Sequence, residues 1–409
     1  MNDLDLAFID RLIPGGQGIA TLKSGKKALL WNALPGENVR FKVLKNKSSY
    51  LEGVATQILQ PSPKRVPAKD PVFLSTSPWQ ILDFNAELEA KAALTQECFR
   101  EQGLHIAVPR TISDGKDYFY RNKMEYALYF DHQDQQIHLA FHARGSHRKI
   151  TITQSSLELP AVFAAASAKL KEMNANKLDA RLFQSLLVRA NAKGETRVAL
   201  FAKHQSHPVL PPLQDTLLGQ NFTYAPTGFF QINLPLYSLV LSKIKTFINT
   251  QKVLDLYAGV GSIGLSVARE HDLTLVEIDK HAFSELKNNA ATAPQARAVL
   301  APAEAVTDFI AADTTVILDP PRAGCDAKLI NRIKTVLPPT VIYLSCNPIT
   351  QARDLKALCP HPYHIDYLQP FDFFPHTPHV ETVALLSKLD VDKHINIEIE
   401  LKLSWMSLI

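Results

Sequence analysis

Cysteine is scarce in this chain: four residues, Cys98, Cys325, Cys346 and Cys359, among 409. None falls in a paired ligand spacing, and four scattered thiols make no disulfide framework. That usage fits a reducing cytoplasm, where the protein is expected to reside. No apolar run approaches the ~20 residues that a bilayer-spanning helix needs. Met1-Asn2-Asp3 opens no signal peptide, so no membrane role is expected. A large charge of one sign is missing too, with 44 Lys and Arg against 40 Asp and Glu, a formal net charge of +4. The distribution is less even. Residues 1–70 hold eleven Lys or Arg against six Asp or Glu, a surplus of five, which leaves the remainder about neutral. A basic module on a neutral body suits a polyanionic partner. A merely soluble surface is the alternative.

In chain order, residues 1–60 alternate short β-rich runs (IATLK, ALLWNAL, NVRFKVLK, YLEGVATQIL) with the turn signals PGGQG, SGKK and PGEN. Strands so closely spaced predict a small antiparallel barrel, a frequent nucleic-acid platform. Lys23, Lys26, Lys27, Lys42, Lys45 and Lys47 are its candidate phosphate contacts as a group. The proline-rich PSPKRVPAKD (61–70) reads as a linker. Residues 71–225 then read as a mixed α+β domain, with a helix from Asn85 to Gly103 and another from Leu159 to Met173. Its strands include FYRNKMEYALYF, on which Arg121 and Lys123 share a face, for substrate contact or for plain surface decoration. Residues 226–390 alternate strands and helices, which implies a parallel sheet with crossover helices. The tail, residues 391–409, alternates Ile and Leu with polar residues like one more strand, with no role assigned.

The stretch VLDLYAGVGSIG (253–264) organises this last domain. An apolar strand carrying Asp255 runs into a turn with Gly259, Gly261 and Gly264, and then into a helix, so a ligand can approach bare backbone. The string is G-x-G-x-x-G, and a dinucleotide fold would also place an acid where Glu277 ends the next strand. Asp255, set where it can meet a cationic or amino ligand, favours S-adenosylmethionine. Ligands in such sheets sit beyond the carboxyl ends of the strands. Asp255, Glu277, Asp319 and Cys346 all fall at such ends.

Two prolines after Asp319 make a stiff turn and remove two backbone donors. Amino-methylating enzymes often carry an aromatic residue after such a turn, and Arg322 stands there instead. Cys346 leaves the strand VIYLS into a proline-braced loop, well placed as a nucleophile, whereas Cys98, Cys325 and Cys359 read as packing. In HTPHVET, Glu381 precedes an apolar strand and suits proton abstraction. His376, His379 and Glu381 lack a convincing further ligand for a metal, and His379 either orients the loop or packs. Together these residues describe methyl transfer to an unactivated pyrimidine carbon. A thiolate adds at C6, the enolate takes a methyl group at C5, a base removes the C5 proton, and the thiolate is eliminated.

The strings FFQIN, DLYAGVGSIGL, VEID, DPPRAG, LSCNP and HTPHVET resemble those of the RNA uracil-5-methyltransferases, over nearly the whole chain. The resemblance implies a Rossmann-like methyltransferase domain of mostly parallel strands. A TRAM-like barrel and the central α+β domain would precede it, both contacting RNA. It makes Cys346 the nucleophile and Glu381 the proton acceptor, with Gln231, Tyr257, Glu277 and Asp319 lining the S-adenosylmethionine site. The barrel favours 23S rRNA as substrate, with tRNA as the alternative, and no obligate protein partner is implied. There are two departures. Relatives with an iron–sulfur cluster carry C-x5-C-x2-C where this chain has Asp70, Thr76 and Trp79, so no cluster is expected. Pro302 stands where some relatives have a polar residue near the adenine. A cytosine-5 enzyme would want a further cysteine, a dehydrogenase would leave Cys346 and Glu381 idle, and an RNA-binding protein without catalysis would explain only the barrel.

Overall fold

Four sheets follow one another along the chain in the computed structural model, which describes residues 6–203 and 208–389. The strand expected in the 391–409 tail lies outside the described residues. No described helix is long and apolar enough to cross a membrane.

The first sheet holds β1 (Leu6–Phe8), β2 (Arg11–Leu12), β3 (Gly18–Thr21), β4 (Lys27–Trp31), β5 (Asn38–Asn46) and β6 (Tyr50–Gln60) in the order β1-β5-β6-β4-β3-β2. Alternating inward residues, among them Ile9, Leu30, Val39, Phe41 and Leu51, make its core. One pairing, β4 with β6, is parallel, so the arrangement is mixed and not the purely antiparallel one expected. The proline-rich segment after β6 is fastened down. Arg65 donates from Nε to Glu37 Oε1 at 2.6 Å and from Nη2 to Glu37 Oε2 at 2.9 Å, with Glu37 fully buried.

α1 (Phe73–Thr76) and α2 (Phe84–Glu101) come next. Asp83 caps α2 by accepting from the N–H groups of Asn85 and Ala86. A five-stranded antiparallel sheet follows, made of β7 (Lys123–Asp131), β8 (Gln136–His142), β9 (Lys149–Thr151), β10 (Phe183–Ala190) and β11 (Thr196–Ala202), with α3 (Pro160–Ala175) packed on it. Beyond it, β12 (Leu213–Leu217) and β13 (Gln220–Tyr224) form a hairpin.

The last sheet has seven strands. β14 (Lys252–Leu256), β15 (Asp272–Glu277), β16 (Ala296–Leu300), β17 (Thr314–Leu318) and β18 (Thr340–Ser345) are parallel, and β19 (Tyr363–Phe371) and β20 (Glu381–Lys388) complete it in the order β16-β15-β14-β17-β18-β20-β19. β20 runs antiparallel to both of its neighbours. The central strands are buried on both faces, as parallel strands covered by crossover helices must be. Those helices are α4 (Leu234–Lys245), α5 (Gly264–Val267), α6 (Lys280–Ala290), α7 (Ala327–Val336) and α8 (Pro348–Leu358). Strand order reverses between β14 and β17, and the ends of β14, β15, β17 and β18 open onto one cleft edge.

Candidate active site

The glycine turn builds one half of the site. Gly259 has φ +58° and Gly261 φ +86°, a region that L side chains avoid. A Cβ placed on Gly259 would meet nothing within 4 Å, so the space above this turn is free for a ligand. At Gly264 the helix approaches the strand so closely that a Cβ would lie 2.7 Å from Asp255 Oδ2. That oxygen accepts the Gly264 N–H at 2.9 Å, while the other, Oδ1, is buried without a partner. Burial pushes the Asp255 carboxyl up to about 8, with Asp319 and Glu277 adding to the rise. A cationic amino group is the natural complement of such an oxygen. Glu277 Oε2 accepts the Gly259 N–H at 2.8 Å, and Oε1 accepts those of Ile278 and Asp279. Oε1 thus has both lone pairs engaged, and Oε2 keeps one that could accept from a hydroxyl.

Cys346 and Glu381 come together through strand register. β18 and β20 pair Ser345 with Thr382, the residues next to Cys346 and Glu381, and the Cys346 thiol feels the Glu381 charge. The pairing is locked from below: Thr382 Oγ1 donates to Gln351 Oε1 at 2.6 Å, and Gln351 Nε2 donates to Tyr343 O at 2.9 Å. Asn347 caps α8 immediately after Cys346, and Pro348 starts the helix. The Asp319-Pro-Pro-Arg loop lies against the same group. Asn347 Nδ2 and Thr350 Oγ1 both donate to the Arg322 carbonyl, at 2.9 and 3.1 Å. Arg322 Nη2 donates to His379 Nδ1 at 2.8 Å.

Electrostatics tie these residues into one unit. Desolvation pushes Asp319 up to about 7 and Glu381 well above the usual carboxylate range, the latter with help from Asp319 and against Arg322. Cys346 rises to about 11, through burial first and then through Glu381 and Asp319, with Arg322 opposing. His379 falls to about 4, from burial and then the Arg322 charge, so its ring is neutral and accepts from Arg322.

Gln231 is held from a different part of the chain. It ends a loop whose carbonyls are gripped by the central sheet. Arg189 donates to Gly228 O at 3.0 Å and to Phe230 O at 2.7 Å, Lys123 to Thr227 O and Gly228 O, and Asn122 to Gln231 O. This corrects the expectation for Arg121 and Lys123. β7 starts only at Lys123, and the Lys123 ammonium is turned onto this loop, while Arg121 stands before the strand in a bridge to Glu158. Tyr257 has φ +65° and lines a cavity of about 610 Å³ with Glu304, Pro321, Gly324 and Cys325; Gln231, Glu277 and Asp319 do not line it.

Three further groups serve this region. Tyr237 on α4 is fully buried, shares a 2.8 Å hydrogen bond with Ser262 and feels the charges of Asp319, Asp255 and Glu381. Arg189 and Lys123 hold the Gln231 loop. Lys91, with Glu87 and Asp372, grips the loop before Glu381. A sequence signal existed for Tyr237, within an amphipathic helix leading to the glycine turn, and for Lys123, though there it pointed to substrate contact and not to the loop. At the positions noted for a cluster, the Asp70 carboxylate accepts from Ser155, Ser156 and Gln80, and Trp79 is buried, donating to Gly16 O at 2.9 Å. Among the described residues only Asp131, Asp134 and His138 bring three metal-ligand atoms within 4.8 Å of one another, and they are far from this site in sequence.

Residues 305–389, which contain Asp319, Cys346 and Glu381, match the family model described as tRNA (Uracil-5-)-methyltransferase. An uncharacterized RNA methyltransferase of Enterococcus faecalis is 27% identical over 455 residues, covering 95% of this chain and 98% of that protein. A 23S rRNA (uracil(1939)-C(5))-methyltransferase of Vibrio parahaemolyticus is 27% identical over 420 residues, covering 93% and 95%. The crystal structure of a Pyrococcus abyssi tRNA (uracil-54, C5)-methyltransferase in complex with S-adenosyl-L-homocysteine superposes with a TM-score of 0.76 at 22% identity, covering 93% of this chain and all of that one. The glycine turn, the unpartnered Asp255 oxygen and the acids at the strand ends fit a cationic nucleoside cofactor. With the family match over the Cys346–Glu381 segment, they make this chain similar to the RNA uracil-5-methyltransferases and support an enzyme that depends on S-adenosylmethionine.

Proposed function

We propose that the chain methylates C5 of a uridine in 23S rRNA, with Cys346 as the nucleophile and Glu381 as the base. The single observation that carries the reading is the pairing of Ser345 with Thr382 between β18 and β20, which brings the neighbouring Cys346 and Glu381 close enough for the thiol to feel the carboxyl's charge. Uracil C5 is too weak a nucleophile to take a methyl group unaided. The Cys346 thiolate adds to C6, and the C5–C6 π electrons move into an enolate with carbanion character at C5. S-adenosylmethionine, when bound by Gln231, Tyr257, Glu277 and Asp319 with Asp255, supplies the methyl group. Glu381 then takes the C5 proton; those electrons re-form C5=C6 and expel the thiolate.

The raised values of Cys346 and Glu381 belong to this scheme. In the free enzyme the thiol is protonated near neutral pH, which protects it from adventitious chemistry. Positive charge at the cleft favours the thiolate, and Arg322 supplies part of it. A carboxyl with a raised pKa is a stronger base once ionised, as removal of a carbon-bound proton requires.

The six-stranded basic N-terminal sheet acts, in this reading, as a TRAM-like RNA-binding module, and the 23S rRNA substrate of the Vibrio parahaemolyticus relative supports the choice of rRNA. The test is methyl transfer from isotopically labelled cofactor to separated 23S rRNA and tRNA, followed by nucleoside mapping. Label in 5-methyluridine of 23S rRNA is expected. Label confined to tRNA would reassign the substrate, and label in 5-methylcytidine would overturn the chemistry.

A further inference from the structure

Glu381 is delivered by residues 372–380, a loop between β19 and β20, and that loop is anchored almost entirely by the N-terminal half of the chain. Lys91 on α2 is fully buried. Its ammonium donates to Glu87 at 2.7 Å, one turn earlier on the same helix, to the Asp372 carboxylate and to Phe374 O at 3.2 Å. Glu87 in turn accepts the His376 N–H at 2.8 Å. Glu87 and Asp372 are fully buried as well, and each keeps one oxygen without a hydrogen-bond partner.

Two buried acids around one buried lysine are a poor device for stability. Desolvation of such groups offsets most of their attraction, and apolar replacements of similar volume often fold as well or better. What the triad does achieve is a fixed path for the loop. Asp372 and Phe374 are gripped at its start and His376 in its middle. Phe374 then packs edge-on against His379, at a ring-centroid separation of 6.0 Å, and His379 receives the Arg322 hydrogen bond. The Arg322 charge also acts on Cys346. The same helix α2 packs against α8, which starts beside Cys346, and against β19. One helix therefore braces both the strand exit that carries the thiol and the loop that carries the carboxyl.

We propose that Lys91, with Glu87 and Asp372, is a positioning residue that aims Glu381 at the C5 proton. The inference rests on the assignment of Glu381 as the base. The triad is fully buried, and its effect falls on the elimination step. An ångström of misplacement costs such a step on the order of 100-fold.

The test uses two full-length variants. The triple variant Glu87→Gln/Lys91→Met/Asp372→Asn removes all three charges together, so none is left unpaired. Asp372→Ala alone leaves Lys91 paired with Glu87 and releases only the loop side. Both are compared with wild type and Glu381→Gln on labelled RNA, by the rate of methyl transfer and by the fraction of methylated RNA still linked to protein after denaturation. Each variant is expected to bind S-adenosylmethionine and to form the adduct as wild type does. Release of methylated RNA should fall by at least tenfold, with adduct accumulating. A purely structural role would slow every step together, and that result overturns the proposal. So does wild-type release from either folded variant, or failure of both to fold. If Glu381→Gln itself accumulates no adduct, the assignment of the base fails. If it does and the triad variants do not, only the positioning role fails.

Discussion

Replacing Asp255 with Asn should make the free enzyme more stable and a worse binder of its cofactor at the same time. Asp255 is fully buried, its Oδ2 accepts one backbone N–H, and its Oδ1 faces no donor. The folded carboxyl titrates at about 8 against a reference of 3.8. A raised value means that folding favours the protonated acid. Its stabilising effect is complete below about pH 4 and is lost as pH rises through about 8. With one pKa unit worth about 1.4 kcal/mol, the loss between pH 5 and pH 8 is on the order of 4 kcal/mol. Asparagine keeps an oxygen for the Gly264 N–H and carries no charge to bury, so that slope vanishes. It also sets an amide NH2 where a cationic amino group would have met an oxygen. Unfolding of wild type and Asp255→Asn should therefore be compared between pH 5 and pH 8 without ligand, with S-adenosylmethionine affinity measured by calorimetry. The variant should gain on wild type as pH rises, while its affinity falls at least tenfold. Parallel stability curves, within about 1 kcal/mol, would refute a buried acid of raised pKa here. Unchanged affinity would remove Asp255 from the cofactor site.

Two further outcomes follow from the site and the charge distribution. Alkylation of Cys346 by iodoacetamide, read by peptide mass spectrometry, should rise with pH towards a half-point near 11 in the free enzyme. Glu381→Gln removes a negative neighbour and should lower that half-point; an unmoved half-point would mean that the two side chains do not sense each other. On the N-terminal sheet, Lys42 and Lys47 are exposed, and changing both to Glu should weaken RNA binding and flatten its salt dependence by about one unit of slope per lost phosphate contact. Cofactor binding should be unaffected, and an unchanged salt slope would take these lysines out of the RNA interface.

The parts of the fold that could be read in advance are those written in local pattern. Apolar runs ending in Asp, Glu or Cys, each followed by a helical stretch, are visible in one dimension, and they place Asp255, Glu277, Asp319 and Cys346 at one edge of a parallel sheet. The glycine turn is equally local, because Gly259 and Gly261 adopt positive φ. Strand pairing is not local. Nothing in KALLW and YLEGVATQIL announces that β4 and β6 run parallel, nor does the sequence 380–388 show that β20 inserts between β18 and β19, although that insertion brings Glu381 near Cys346. β1 and β2, of three and two residues, are too short to carry a period. Lys91 and Asp372 lie 281 positions apart, so their contact leaves no trace in spacing. Lys123 shows the same limit in reverse: a lysine on an alternating strand reads as surface, yet its ammonium is turned onto the carbonyls of Thr227 and Gly228.

The central claim is the order of events at Cys346 and Glu381, and the most direct test follows labelled RNA on denaturing gels with wild type, Cys346→Ala and Glu381→Gln. Cys346→Ala should neither turn over nor form a protein-linked band. Glu381→Gln should stall with methylated RNA attached through Cys346, because elimination waits on loss of the C5 proton. A 5-fluorouridine substrate should hold wild type at the same stage, since fluorine cannot leave as a proton. An adduct formed by Cys346→Ala, or normal turnover by Glu381→Gln, would contradict the mechanism.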